Sequence, residues 1–76
     1  MNTCYVAIQR KGEWDLHACT RDIQRELMKL NTFKIRELTQ AERKVARKLN
    51  AMGKLDWINP SDLGKILRWA RKEEGK

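Results

Sequence analysis

An alternating apolar pattern near the start of the chain is the feature that most constrains its fold. Between Thr3 and Cys19, apolar residues occupy every second position on both sides of the short segment Arg10-Lys11-Gly12. This pattern is typical of β-strands with one face against a core. We therefore predict a two-stranded antiparallel hairpin over about residues 3–19. Such a hairpin is marginally stable in water, so the rest of the chain must cover its apolar face.

The register of the hairpin is chosen so that both apolar sets share one face. A three-residue loop over 10–12 meets this condition and places Gly12 where a left-handed conformation is favoured. The predicted pairs are Gln9 with Glu13, Ile8 with Trp14, Val6 with Leu16, and Cys4 with Ala18.

A two-residue loop of Lys11 and Gly12 is rejected, because it sets Val6 opposite His17 on the face intended for the core. The chosen register instead places His17 on the wetter face. It also directs Cys4 and Cys19 to opposite faces, which argues against a disulfide between them.

Capping signals and apolar spacing predict three helices after the hairpin, over about residues 20–31, 39–52 and 60–73. Their start signals are Thr20, the capping box Thr39-Gln40-Ala41-Glu42, and Asn59-Pro60. The residues expected to face the core are Ile23, Leu27 and Leu30, then Ala41, Val45, Leu49 and Met52, then Leu63, Ile66, Leu67 and Ala70. Between the first two helices, the segment 33–38 fits either a short strand or a turn, and we interpret it as an irregular link.

The length of 76 residues and a hydrophobic content of 41% predict a single domain, 1–76, of the α+β class with one modest core. The sequence has neither a long apolar run nor a signal-peptide pattern, so we expect a cytoplasmic protein. The two cysteines and one histidine lack the spacing of a metal site, so we expect no metal and no cofactor.

Positive charge is concentrated in the C-terminal part of the chain. The formal net charge is +7, with five basic and four acidic residues through Asn31 but twelve basic and six acidic residues from Thr32 onward. The residues expected to point outward from the last two helices are Arg43, Lys44, Arg47, Lys48 and Asn50, then Ser61, Lys65, Arg68 and Lys72. Ordinary solvated helix surfaces are also rich in Lys and Arg, but they usually mix both signs of charge, and the segment 43–48 contains no acid.

The succession of three helices resembles the helix-turn-helix plan, in which the third helix enters the major groove of DNA. On this analogy Ser61, Lys65 and Arg68 approach the DNA. The connection Gly53–Ile58 is longer than the usual turn of three to four residues. Trp57 is expected to close the core beneath this connection, and Trp69 lies at the edge of the apolar stripe, where it is suited to stacking or to a protein pocket.

We therefore expect a small regulatory nucleic-acid-binding protein of bacterial or phage type, with DNA favoured over RNA as its partner. No nucleotide-binding motif or catalytic arrangement is recognisable, so we do not expect an enzyme. The alternative is a protein-binding inhibitor or adaptor, including one of viral origin, that docks Trp69 and the basic residues on an acidic or nucleic-acid-binding groove of a host protein. A homodimer also remains open, since a core of this size gains stability from a second copy.

Overall fold

The computed structural model of the chain describes residues 3–75. Its elements in chain order are β1 Thr3–Arg10, β2 Glu13–Thr20, α1 Arg21–Lys29, β3 Ile35–Glu37, α2 Gln40–Ala51 and α3 Pro60–Glu74. The strands form one antiparallel sheet in the order β2-β1-β3. The α+β class and the three helices are confirmed, whereas the hairpin is extended by a third strand.

The third strand replaces the irregular link predicted for 33–38, and that interpretation was wrong. Ile35 lies opposite Ile8 of β1 and is buried beside it. The Gln9 N–H donates to the Lys34 carbonyl at 2.8 Å, which extends the ladder by one bond. A segment as short as β3 carries little strand preference of its own, so its pairing with the free edge of β1 decides its conformation.

The predicted hairpin register was also wrong. The loop is the two-residue one, with Lys11 at φ 52° and Gly12 at φ 80°, the positive pair that a type I′ turn requires. Val6 therefore lies opposite His17, and Cys4 lies opposite Cys19 on the same face. The prediction assumed one buried and one wet face, but Val6 and Ala7, which point to opposite faces, are both fully buried.

Helices cover both faces of the sheet. Helices α1 and α3 pack on one face, where the buried residues are Val6, Ile8, Cys19, Ile23, Leu27, Ile35, Ile58, Ile66 and Ala70. Helix α2 packs on the other face, where they are Ala7, Ala18, Leu38, Ala46 and Leu55. The sheet is thus the middle layer of three.

The caps predicted from the sequence position the helices. Thr20 Oγ1 accepts a hydrogen bond from Ile23 N at the start of α1. The capping box of α2 is complete: Thr39 Oγ1 accepts from Glu42 N at 3.2 Å, and the Glu42 carboxylate accepts from Thr39 N at 2.9 Å. At α3, the Asp62 carboxylate accepts from the Asn59 N–H.

The long connection Gly53–Ile58 carries the chain around the outer edge of β2, from the face under α2 to the face under α3. Its second half pairs with that edge: Ala18 N donates to Asp56 O, and Ile58 N donates to Ala18 O, both at 2.9 Å. Ile58 then enters the core beneath α3. This path explains why the connection exceeds the length of a helix-turn-helix turn.

Within residues 3–75, none of the helices combines the length and the apolar character needed to cross a membrane.

Candidate functional site

Helix α2 touches the sheet along a narrow strip and leaves most of its surface in solvent. Ala46 is fully buried, and Leu49 packs beside it at the margin of the core. Residues three or four apart share a side of a helix, so Lys44 and Lys48 form a row opposite Ala46, and Arg43 and Arg47 form the neighbouring row on one flank. All four are exposed. We call these four residues the α2 face.

The only acidic residue of α2, Glu42, is held on the inward side. Arg36 of β3 donates two hydrogen bonds to its carboxylate, at 2.7 and 2.9 Å, while the Arg36 guanidinium lies 4.4 Å from the centre of the Trp14 ring. These bonds, together with the bond from Thr39 N, lower the pKa of Glu42 to about 2. The carboxylate is therefore ionised and engaged with Arg36, and the α2 face remains purely cationic.

The core side of α2 differs from the prediction. Val45 and Met52, expected to face inward, are 52% and 53% exposed. The helix is turned so that the small side chain of Ala46 meets Ala7 and Ala18, which allows the helix to approach the sheet closely. The apolar stripe read from the sequence therefore lies on the flank of the helix, and Arg43 lies on the opposite flank.

Arg43 and Arg47 line a cleft of about 550 Å³ between α1 and α2, which we call the arginine cleft. Arg21 of α1 also lines it, as does one carboxylate, Glu37. The cleft exists because β3 is short and leaves the start of β1 without a neighbouring strand on that side. There the Gln24 side-chain amide donates to Tyr5 O at 3.2 Å.

Helix α3 presents a second cationic surface. Ile66 and Ala70 are buried and Leu63 and Leu67 pack at the margin of the core, as predicted. The outward side carries Lys65, Arg68, Arg71 and Lys72, all exposed, with Ser61 at its start. We call the four cationic residues the α3 face.

The two basic helices do not form one surface. Helix α2 packs with Ala7 and Ala18 on one side of the sheet, whereas α3 packs with Val6 and Ile8 on the other. The joint contact surface and the helix-turn-helix-like arrangement expected from the sequence are therefore wrong. The reason is the path of the connection, which crosses the edge of β2 instead of folding α3 against α2.

The polar and aromatic candidates are engaged in local contacts. Asn50 Oδ1 accepts a hydrogen bond from Trp57 Nε1 at 2.9 Å, and Trp57 is 44% exposed, so it does not close the core as predicted. Trp69 of α3 packs at the core margin, and the Arg10 guanidinium lies 5.8 Å from its ring centre.

A second cleft, of about 390 Å³, lies between the sheet and the start of α3. His17 and Arg10 line it together with Asp56, Asp62 and Lys65. The Nε2 of His17 is buried and has no hydrogen-bond partner among residues 3–75. Burial lowers the pKa of His17, and the positive charge of Arg10 lowers it further. This histidine is therefore neutral at physiological pH.

The part of the chain that the structure describes contains no cluster of three His, Cys, Asp or Glu side chains able to hold a metal ion.

Two functional candidates were missed from the sequence. Arg21 belongs to a helix whose outward charges alternate in sign, so nothing local distinguishes it; it joins the arginine cleft because α1 begins directly after β2. Arg10 was assigned to the hairpin loop, and only the true register places it at the end of β1 and over Trp69.

Comparison of the chain with protein-family models, with curated proteins and with solved structures found no match.

Proposed function

We propose that this chain is a small regulatory protein that binds nucleic acid, chiefly duplex DNA, through contacts to the phosphate backbone. The observation that carries the proposal is the α2 face: Arg43, Lys44, Arg47 and Lys48 are all exposed on one side of a helix without a carboxylate among them. Neutralising phosphates with such residues releases condensed counterions, which supplies much of the affinity of a protein for DNA.

Helix α1 of the same protein shows what an ordinary solvated surface looks like here. Its exposed residues include Arg21, Asp22, Arg25, Glu26 and Lys29. The signs are mixed, and Lys29 pairs with Glu26 at 3.3 Å. On α2 the acid is turned inward to Arg36, so every exposed charged residue of the helix is a cation. This contrast supports the proposal that the α2 face binds an anionic partner, because solubility alone is usually served by charges of both signs.

In the proposed binding mode, one helix makes the contact with DNA, and not two helices packed together. Because α3 is not packed on α2, the α2 face binds as a single convex helix, and the arginine cleft at its side adds Arg21 to the contact. B-form DNA has a major groove wide enough to admit a helix, whereas the major groove of A-form RNA is narrow and deep. This difference is the reason for favouring DNA.

The test compares two charge-reversal variants with the same formal charge. Each substitution lowers the net charge of +7 by two units, so both triple variants reach +1. The first variant is R43E/R47E/R68E, which alters both cationic helix faces. The control is R25E/K29E/K54E, whose altered residues are exposed but lie outside both faces.

Fluorescence anisotropy with a labelled 30-base-pair duplex, measured over a range of salt concentrations, gives the result. We expect the first variant to lose at least about 100-fold in affinity and the control to lose less than about tenfold. Affinity of the unaltered protein should fall steeply as salt rises. The proposal is wrong if the unaltered protein does not bind duplexes or if the two triple variants lose equal affinity.

A protein partner is the second candidate, and one observation favours it. The apolar side chains of Val45 on α2 and of Met52 at its C-cap are about half exposed, and Trp57 is also exposed. Exposed apolar and aromatic side chains are typical anchors of protein interfaces. Provided that folding is intact, replacing Trp69 with Ala should injure a protein-binding role more than duplex binding. Capture of a protein that persists after nuclease treatment, and that V45S/M52S abolishes, would favour this function.

A further inference from the structure

We infer that one molecule of this protein bridges two duplex DNA segments, one held by the α2 face and the other by the α3 face. The inference rests on the proposed function and adds a mode of action to it. A protein with one contact surface occupies a single duplex. A protein with two opposed surfaces brings two duplexes together.

The opposed placement follows from the core packing. Ala46 anchors α2 to one side of the sheet, and Ile66 and Ala70 anchor α3 to the other. All these cations are exposed: those of α3 lie on the side away from its anchors, as do Lys44 and Lys48 of α2, while Arg43 and Arg47 lie on the flank of α2 beside the arginine cleft. The α2 face and the α3 face therefore belong to helices on opposite sides of the sheet.

The two faces are equivalent in charge. The α2 face has Arg43, Lys44, Arg47 and Lys48, and the α3 face has Lys65, Arg68, Arg71 and Lys72, so each offers four cations. Acidic residues occur in α3 only in its first turn, at Asp62, and at its end, at Glu73 and Glu74. The Asp62 carboxylate accepts from the backbone of Asn59. No acid interrupts either set of four.

The two faces act independently because of their separation. The Cα trace measures 36 × 24 × 18 Å, and α2 and α3 lie on opposite sides of the sheet. Screening at physiological salt reduces interactions between exposed charges over about 8 Å. A phosphate on one face therefore gains little from cations on the other, and binding at one face leaves the other available.

A single short duplex cannot satisfy both faces. Its backbone would have to reverse direction around a body that measures 36 × 24 × 18 Å. DNA has a persistence length of about 150 base pairs, and bending a 20- to 30-base-pair site by even 40–90° costs on the order of 1–6 kcal/mol. Binding a second duplex avoids that cost. The geometry therefore favours a complex of one protein with two duplexes.

The experiment measures bridging and binding separately. One duplex is attached to beads, a fluorescent duplex of the same sequence is added with the protein, and the fluorescence retained on the beads reports bridging. Anisotropy with the fluorescent duplex alone reports binding. The variants are R43E/R47E for the α2 face and R68E/K72E for the α3 face. The matched control is R25E/K29E, which makes the same change in net charge on α1.

The unaltered protein and the control should retain the fluorescent duplex on the beads. Each single-face variant should still bind one duplex, within about tenfold of the unaltered affinity, yet lose at least about fivefold in bridging. Bridging by a dimer with one active face predicts otherwise, since one of the two single-face variants would then still bridge fully.

Three outcomes decide the matter. Binding without bridging by the unaltered protein overturns the inference and leaves the proposed function standing. Full bridging by either single-face variant also overturns it. Absence of duplex binding by the unaltered protein removes the proposed function and, with it, this inference.

Discussion

Cys4 and Cys19 lie directly opposite each other on β1 and β2, and their side chains share the sheet face that α1 and α3 cover. Their environments differ. Cys19 is fully buried, whereas Cys4 is partly exposed and lines the arginine cleft. Both are free thiols. Burial raises the pKa of the Cys19 thiol to about 11, and the neighbouring Cys4 adds to the rise.

The first prediction concerns the reactivity of these thiols. At pH 7 a thiol with a pKa of about 11 is ionised in roughly one molecule in ten thousand, and the thiolate is the reactive form. Iodoacetamide should therefore modify Cys4 in the folded protein and leave Cys19 unmodified, while both react in urea. Mass spectrometry of peptides counts the labels. Equal labelling of both thiols in the folded state would contradict the burial of Cys19.

The helices could be predicted from the sequence because their signals are local. Thr20 and the box from Thr39 to Glu42 act on the backbone of the next three residues, so their effect does not depend on the tertiary fold. The third strand had no such signal. Ile35 becomes part of a strand only because the free edge of β1 lies beside it.

The register could not be predicted from apolar alternation, because the sheet is buried on both faces. Val6 and Ile8 point to α1 and α3, while Ala7 points to α2. Alternation fixes a register only where one face is wet. Turn geometry was the better guide: a two-residue loop matches the twist of the strands, and Gly12 supplies one of its two positive φ angles.

The second prediction tests that turn. Gly12 has φ 80° and Lys11 has φ 52°. A Cβ at Gly12 meets no atom within 4 Å, so Gly12→Ala acts through backbone strain alone and should destabilise the protein by about 1–2 kcal/mol. Lys11→Asn should stabilise it by about 0.5 kcal/mol, since Asn adopts the left-handed region more readily. Urea unfolding measures both. A neutral Gly12→Ala would argue for a different loop.

The third prediction tests the contact between α2 and the sheet. Ala46 is fully buried against Ala7 and Ala18, whereas Ala51 on the same helix is exposed. Ala46→Leu inserts three carbons where there is no space and should cost about 1–3 kcal/mol. Ala51→Leu, the matched control, should change stability by less than about 0.5 kcal/mol. If the helix were instead packed through Val45 and Met52, the two substitutions would have similar effects.

The fourth prediction concerns Glu42 and acid. Its pKa of about 2 lies below the ordinary value of 4.5, chiefly because Arg36 donates hydrogen bonds to the carboxylate. A lowered carboxyl pKa contributes stability that is complete above about pH 4.5 and is lost as the pH falls towards 2. Glu42→Gln should therefore be less stable than the unaltered protein at pH 6, with the difference shrinking below pH 4.5. The exposed Glu74→Gln is the control, and chemical unfolding at several pH values provides the measurement.

The fifth prediction concerns His17, the only histidine of the chain. Its pKa is lowered below the ordinary 6.5, mainly by burial and then by Arg10, while Asp15 and Asp56 oppose the shift. The unfolded chain therefore binds the proton more readily than the folded protein, and stability falls as the pH drops below about 6.5 through the lower folded pKa. His17→Gln removes the titrating imidazole from both the folded and the unfolded chain, so the stability of this variant should change less as the pH falls. Urea unfolding at pH 7.5 and 5.5 compares the two proteins; an identical pH dependence would show that the imidazole is not held neutral by the cleft that it lines.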